Sequence, residues 1–210
     1  MSIDLSAVPA APVENEPLPA ASPSAETLAL MARRRSTPIA LMTGPGPGRA
    51  EVETLIRLAA RVPDHGKLGP WRFVIYEGAA RRAAGEKFSA LIAARKPGAD
   101  AAHLEMEAAR FERAPVVVAV ISKAALHPKI PEWEQVLSAG AVSYQLVLAA
   151  YAMGYAGASL TEWPAYDAEA RAALGLAEHE RVAGFVYLGS AKENPTERVR
   201  PPLAPRISWA

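Results

Sequence analysis

The chain has 210 residues, half of them apolar, with a formal net charge of +1 and no cysteine. This length suits one domain with a substantial core, and the near-neutral charge argues against polyanion binding driven by overall charge. The lack of cysteine excludes disulfides, thiolate nucleophiles and cysteine-ligated metal sites. Without an apolar run of the roughly 20 residues that cross a bilayer, or a secretory signal, the sequence predicts a cytoplasmic enzyme or binding protein with no membrane partner.

The first 24 residues are rich in Ala and Pro, with scattered Ser and Glu. A segment of this composition buries little apolar surface, so residues 1–24 are predicted to form a flexible arm. Docking of the arm on a partner subunit is the alternative. Residues 25–210 are predicted to form a single domain.

Residues 25–34 have the apolar spacing of a helix, and the segment ends in Arg33, Arg34, Arg35 and Ser36. Basic residues at a helix C-terminus complement the helix dipole, which is a purely structural explanation. The functional explanation is an anion site, because arginine binds phosphate oxygens in a forked geometry and a serine hydroxyl adds a donor. Composition leaves both explanations open.

A polar loop connects a helix predicted over residues 49–61 to a strand predicted over residues 71–76. Pro63 ends the helix, and Gly66 and Gly69 permit tight turns. Such a loop is either a ligand-binding segment or a solvated connection, and both interpretations stay open. Its charged and titratable residues are Arg61, Asp64, His65 and Lys67.

The remaining pattern alternates helices and strands without an internal repeat, which predicts an α+β fold. The long helix at residues 132–153 is apolar on most sides, so it is expected to lie centrally or in a subunit interface. Further helices are predicted at residues 79–94, 99–113 and 167–175, and strands at residues 115–121, 154–160 and 181–188.

Several chemistries lack the residues that they need. The four histidines are far apart in sequence and none belongs to a metal-binding motif, so no metal site is predicted. There is no serine nucleophile elbow and no phosphate-binding Walker motif. Basic residues do not alternate with aromatic ones, so no nucleic acid partner is predicted.

Four segments occur together in an order that resembles the FMN-dependent nitroreductase family, in particular its short NAD(P)H nitroreductases. The first is Arg33 to Ser36, and the second runs from Arg61 to His65 and continues with Gly-Pro-Trp-Arg-Phe at residues 69–73. The third contains Trp-Glu-Gln at 133–135 and Ser-Ala-Gly at 138–140. The fourth is the strand at residues 181–189, and the similarity covers residues 25–210.

The resemblance implies an α+β nitroreductase-like sandwich in which a small mixed or antiparallel sheet is flanked by helices. It also implies an obligate homodimer, with the long helix at the dimer interface and two FMN sites built from both chains. NAD(P)H is the expected co-substrate, and a small-molecule electron acceptor is the expected partner.

The resemblance also implies roles for individual residues. Arg34, Arg35 and Ser36 would hold the FMN phosphate and ribityl chain, and Arg200 or Arg198 would add a basic contact from the C-terminal tail. Residues 149–154 match a stretch ascribed to NAD(P) in similar proteins. The remaining expected flavin contacts are Arg61, His65 and Lys67 from the polar loop, and Ser159, Leu160 and Thr161 against the ring near its reactive nitrogen.

Three positions depart from the family pattern. Lys67 and Gly69 stand where many members have Asn and Gln, and Leu160 stands where some relatives have a basic residue.

The predicted function is transfer of a hydride from NAD(P)H through FMN to a nitroaromatic, quinone or similar acceptor. The flavin carries this chemistry, so no acid–base pair is required and no catalytic side chain is assigned. Two alternatives of other classes are a flavin- or nucleotide-binding carrier or sensor without turnover, and a helical dimerisation module without a chromophore.

Overall fold

A computed structural model describes residues 3–210. This part of the chain forms an α+β fold, as expected, in which helices cover both faces of one five-stranded sheet. The helices are Ala25–Arg33 (α1), Arg49–Ala59 (α2), Ala79–Arg95 (α3), Ala101–Ala108 (α4), Glu132–Ala152 (α5), Glu162–Tyr166 (α6) and Ala168–Ala173 (α7); the strands are Met42–Thr43 (β1), Trp71–Glu77 (β2), Val116–Ser122 (β3), Ala156–Leu160 (β4) and Arg181–Ala191 (β5).

All strand pairs in the sheet are antiparallel, and β5 is its centre. One edge of β5 pairs with β3, which in turn pairs with the edge strand β2. The other edge of β5 pairs first with β4, from Leu160 opposite Phe185 to Ala156 opposite Gly189, and then with β1. The last strand of the chain therefore connects three others.

Strand β3 shows why the sheet is covered on both faces. All seven of its residues are buried, and successive residues belong to two different apolar clusters. Val117 packs with aromatic residues such as Phe88 and Phe111, whereas Val118 packs with Leu55 of α2 and Leu146 of α5. A β-branched run without polar alternation is typical of a strand buried in this way.

Some predicted boundaries were wrong. The helix predicted over residues 99–113 is α4 followed by a separate 3-10 turn, Arg110–Arg113, in which charged side chains turn inward. Helix α1 ends at Arg33, and Arg34 already has extended backbone angles. Strand β1 and helix α6 were not predicted. The two residues of β1 are too few to show an alternating pattern, and the proline at position 164 argued against a helix there.

The arm is in contact with the rest of the chain. Ile3 and Leu5 pack against the cluster between the sheet and α2, and Arg57 Nη1 donates a 2.9 Å hydrogen bond to the Pro9 carbonyl. Whether residues 1–24 are flexible in solution stays a prediction.

Among residues 3–210, no helix combines the length and apolarity that a membrane crossing requires.

Candidate functional site

Arg34 lies just beyond the end of α1, and part of its guanidinium has no hydrogen-bond acceptor. Its Nε and Nη1 atoms are buried, and within residues 3–210 neither has a hydrogen-bond partner. Its carbon atom Cζ lies 5.7 Å from the centroid of the Tyr144 ring and 5.9 Å from that of Tyr151, both on α5. Buried donors are normally satisfied, so this group is suited to an anionic acceptor from outside the described chain.

The residues after Arg34 tie this group to the sheet and to the C-terminal tail. The Thr37 amide donates a 3.1 Å hydrogen bond to the Gly157 carbonyl of β4, and the Thr37 hydroxyl lies 2.5 Å from the Tyr151 hydroxyl. Arg35 Nη1 donates to the Thr196 carbonyl. The predicted residues Arg34, Arg35 and Ser36 are thus held beside β4.

Arg200 contacts Glu197 rather than the Arg34 group. Its Nη2 atom lies 3.0 Å from the Glu197 carboxylate. Because Arg35 binds the Thr196 carbonyl immediately before Glu197, the tail still passes close to the predicted phosphate-binding residues.

The polar loop after α2 is fixed by its own backbone contacts. The Asp64 carboxylate accepts hydrogen bonds from the amides of Leu68, at 3.1 Å, and Gly69, at 2.8 Å. Gly66 has a φ of 71°, and a Cβ atom there would lie 2.6 Å from Ile130 Cδ1. Lys67 also has a positive φ and its side chain is exposed. The loop is shaped to present charged side chains outward.

His65 faces the first turns of α5. Its Nδ1 lies 2.7 Å from Glu134 Oε2, and both side chains are about half exposed. Together with Ser138 and Ala141 of α5, the two residues line an open cavity of about 370 Å³. Glu134 belongs to the Trp-Glu-Gln segment at residues 133–135, but no role in the site was predicted for it from the sequence.

Arg61 lies in a different cavity. This second cavity, of about 530 Å³, lies between α2 and the arm, and Arg57 and Leu18 also line it. The structure therefore separates Arg61 from His65, although both were expected to border the same ligand.

Within one chain, the predicted residues form two groups along α5. His65 lies at Glu134 in its first turn, and Arg34 lies over Tyr144 and Tyr151 in its second half. At 1.5 Å per residue, the ten residues between Glu134 and Tyr144 span about 15 Å.

The end of β4 provides the third predicted segment. Ser159 pairs with Val186 and Leu160 with Phe185, while Thr161 accepts a 2.8 Å hydrogen bond from the Tyr166 hydroxyl. Ser159 and Thr161 are at least partly accessible to solvent.

A buried charged network lies directly behind this segment. Glu162 Oε2 is 3.0 Å from Arg110 Nη1, and Glu162 Oε1 accepts a 3.1 Å hydrogen bond from Arg113 Nη1. Glu107 binds Arg110 through two hydrogen bonds, of 2.8 and 2.5 Å. Burial raises the pKa of Glu162, but the bonds and charges of the two arginines outweigh it, so the carboxyl stays below its usual range. No pattern in the sequence predicts this network.

The family of the chain follows from its sequence. The sequence model of the nitroreductase family matches residues 31–190. The chain belongs to the nitroreductase family. An Escherichia coli K12 relative named "Putative NAD(P)H nitroreductase YdjA" is 33% identical over 171 residues, which cover 79% of this chain and 88% of the relative. A Haemophilus influenzae relative named "Putative NAD(P)H nitroreductase" is 32% identical over 180 residues, which cover 83% of this chain and 94% of the relative.

Solved structures of nitroreductases share the fold. A nitroreductase-like family protein from Bacillus cereus superposes with a TM-score of 0.75 at 18% identity, covering 91% of this chain and 99% of the other. The FMN-dependent nitroreductase NfnB from Mycobacterium smegmatis, solved in complex with NADPH, gives a TM-score of 0.68 at 17% identity, covering 89% and 99%. The predicted nitroreductase-like fold is confirmed.

The donors around Arg34 are of the kind that bind a phosphate group. Two guanidinium groups and the Ser36 hydroxyl follow one another in sequence, and part of one guanidinium is buried without a partner. This nitroreductase family member contains no group of three or more His, Asp or Glu residues placed to hold a metal ion, within residues 3–210.

Proposed function

We propose that this protein is an NAD(P)H-dependent FMN oxidoreductase. The observation that carries the proposal is the Arg34 guanidinium, whose Nε and Nη1 atoms are buried without a hydrogen-bond partner, beside Arg35 and Ser36 in a chain that belongs to the nitroreductase family. The names of its relatives support NAD(P)H as the reductant, and FMN occurs in the names of its structural neighbours. The cysteine-free composition is consistent with the proposed cytoplasmic location.

In this proposal, Arg34, Arg35 and Ser36 bind the FMN phosphate and ribityl chain. A charge-assisted hydrogen bond from arginine to phosphate contributes about 1.5–3 kcal/mol, so a few such bonds retain the cofactor without a covalent link. FMN bound there would supply the redox chemistry, which is transfer of a hydride from NAD(P)H to an acceptor. The proposed acceptors are nitroaromatics and quinones, and a quinone becomes a hydroquinone on adding that hydride and one proton.

We also propose that the protein is a homodimer with two shared FMN sites. Helix α5 exposes Trp133 (68%), Leu137 (52%) and Tyr144 (50%), spaced as one stripe along the helix. An apolar stripe on a long helix is typical of a subunit interface. A two-chain site would also bring the His65 loop of one protomer, with Lys67, towards the Arg34 group of the other. Arg61 and Arg200 are the more distant members of the proposed site.

The proposal is tested by the visible absorption spectrum of the purified protein, before and after anaerobic addition of NADPH or NADH. The expected result is a flavin spectrum that bleaches, followed by reoxidation on addition of a quinone or nitroaromatic. A bound flavin that does not bleach would favour the carrier or sensor instead. Failure to bind flavin after incubation with FMN would contradict the proposal. The protein would then share the fold of the nitroreductases but not their cofactor.

A further inference from the structure

Glu162 has an unusual backbone conformation for a glutamate. Its φ is +47°, in the left-handed region that a residue with a side chain occupies only when surrounding contacts hold it there. Glu162 is the first residue of α6 and follows Thr161 directly. The conformation therefore marks the point where the chain turns away from the end of β4.

The contacts that hold Glu162 are ionic and largely buried. Arg113 Nη1 and Nη2 bind the two carboxylate oxygens as a fork, and Arg110 Nη1 approaches one of them to 3.0 Å. The side chains of Glu162 and Arg110 are 28% and 10% exposed. With Glu107 the network contains two carboxylates and two guanidinium groups, so its charges balance, as buried charges require.

The network is also anchored in the rest of the fold. Arg113 Nη2 donates a 2.8 Å hydrogen bond to the Tyr187 hydroxyl, and Tyr187 lies in the central strand opposite Ala158 of β4. Glu107 accepts a 3.0 Å hydrogen bond from Trp163 Nε1, next to Glu162. The Tyr187 contact thus ties the network to the central strand of the sheet, and the Trp163 contact ties Glu107 of α4 to α6.

These contacts leave little freedom to the segment between them. Pairing with β5 fixes β4 up to Leu160, opposite Phe185, and the ion pairs fix Glu162. Only Thr161 lies between the two fixed points, and its hydroxyl binds Tyr166. The backbone of residues 159–161 is therefore clamped from both ends.

We propose that Glu162 is a positioning residue, which holds the backbone of residues 159–161 against the flavin through its ion pairs with Arg110 and Arg113. This inference rests on the proposed function, in which Ser159, Leu160 and Thr161 face the flavin ring. The alternative is that the network only stabilises the fold. A positioning role predicts a change in the properties of bound flavin, whereas a purely stabilising role does not.

The test compares Glu162→Gly with Glu162→Gln in the full-length, FMN-loaded protein. Glycine accepts the left-handed angle without strain but removes the carboxylate, so the clamp is lost; because Arg110 and Arg113 also lose this partner, a lower melting temperature is expected in either role. Glutamine keeps the shape and part of the hydrogen bonding. The matched control is Glu105→Gln, which breaks the exposed ion pair between Glu105 and Arg82, at 2.6 Å, on the neighbouring helices.

Three readouts separate the two roles: the visible circular dichroism of bound flavin, its midpoint potential, and its rate of anaerobic bleaching by NADPH. For Glu162→Gly we expect altered circular dichroism, a shifted potential and bleaching about tenfold slower, a change equivalent to about 1.4 kcal/mol. Partial recovery is expected in Glu162→Gln, and Glu105→Gln is expected to match the wild type.

Wild-type circular dichroism, potential and bleaching rate in a flavin-loaded Glu162→Gly variant would overturn the inference, even if its melting temperature fell. The proposed function fails in a different way. If NADPH did not bleach the flavin of the wild type, the circular dichroism and the potential, which require only bound flavin, would still decide whether Glu162 positions the segment.

Discussion

At the scale of single residues, Arg34 gives the most direct prediction. Arg34→Leu keeps an apolar side chain beside Tyr144 and Tyr151 but removes the guanidinium, whose Nε and Nη1 atoms are buried without a hydrogen-bond partner. We expect at least about a tenfold loss of FMN affinity with little loss of stability, because the apo protein gives up no hydrogen bond from Arg34 Nε or Nη1. The measurements are the flavin content after gel filtration and the melting temperature without FMN.

Two neighbouring substitutions serve as controls for Arg34. Arg33→Ala changes the exposed last residue of α1, next to Arg34, and is expected to retain FMN. Arg35→Ala is expected to lower FMN retention more than stability, although it also frees the Thr196 carbonyl. Equal flavin content in Arg34→Leu and Arg33→Ala would contradict the assignment.

A second prediction concerns Glu180, which Arg72 binds through two hydrogen bonds of 2.7 and 2.6 Å. The bonds from Arg72 lower the pKa of Glu180 from 4.5 to about 2. Because the folded carboxyl releases its proton more readily than the unfolded one, its stabilising contribution is complete above about pH 4.5. It is lost as the pH falls towards 2.

Comparison of the wild type with Glu180→Gln isolates this contribution. We expect the difference in unfolding free energy to be about 2 kcal/mol near pH 6, after allowing for solvent at Arg72, and to shrink by pH 3. Urea titrations at both pH values measure it. A difference that does not change with pH would show that Glu180 stabilises the fold through shape alone.

At the scale of elements, the contact between α3 and α4 depends on Gly85. A Cβ atom at this position would lie 1.9 Å from the Ala108 carbonyl oxygen and 2.6 Å from its carbon, both in the backbone. Gly85→Ala is therefore expected to lower the free energy of unfolding by at least about 2 kcal/mol, despite the higher helix propensity of alanine. Chemical denaturation measures the loss.

The control for Gly85 is Ser89→Ala, four residues further along α3. Serine and alanine differ by one oxygen atom, and the position is half-buried. This variant is expected to be as stable as the wild type or slightly more stable. Unchanged stability in Gly85→Ala would mean that α4 moves aside without cost.

Elements with a strong local pattern could be predicted from the sequence. The β-branched run of β3 and the apolar length of α5 indicate their structure without tertiary information. Strand β1 could not be found, because its two residues become a strand only when β5 lies beside them. The short, proline-containing helix α6 is likewise specified by contacts from distant segments.

The same distinction applies to the candidate site. Arg34, Arg35 and Ser36 attract attention in the sequence because they form a continuous polar cluster. Glu162 does not, because its partner Arg113 is 49 residues away and the two meet only in the folded chain. The separation of Arg61 from His65 also depends on tertiary structure, since α2 directs Arg61 towards the arm.

At the scale of the whole molecule, dimerisation and flavin binding are expected to fail together. Leu137→Glu places a charge in the exposed apolar stripe of α5, at a residue that is 52% exposed in the single chain. We expect a monomer in analytical ultracentrifugation and loss of most bound FMN, because the proposed site needs both chains.

Leu126→Glu is the matched control for Leu137→Glu. It makes the same chemical change at a residue that is 94% exposed, in the loop before α5. This variant is expected to remain a dimer that contains FMN. A dimeric Leu137→Glu protein would contradict the proposed interface, and a monomeric one that retains FMN would contradict the shared sites.

The position of β5 in the sheet has a consequence for biosynthesis. Strands β1 and β4 pair only with β5 in the sheet, and β5 comes last among the five strands. A growing polypeptide can form the β2–β3 pair early, but most of the sheet must wait until residue 191 has left the ribosome. Until then, β3 has one unpaired edge and β4 has no partner in the sheet, so the unfinished chain exposes apolar strands that favour aggregation.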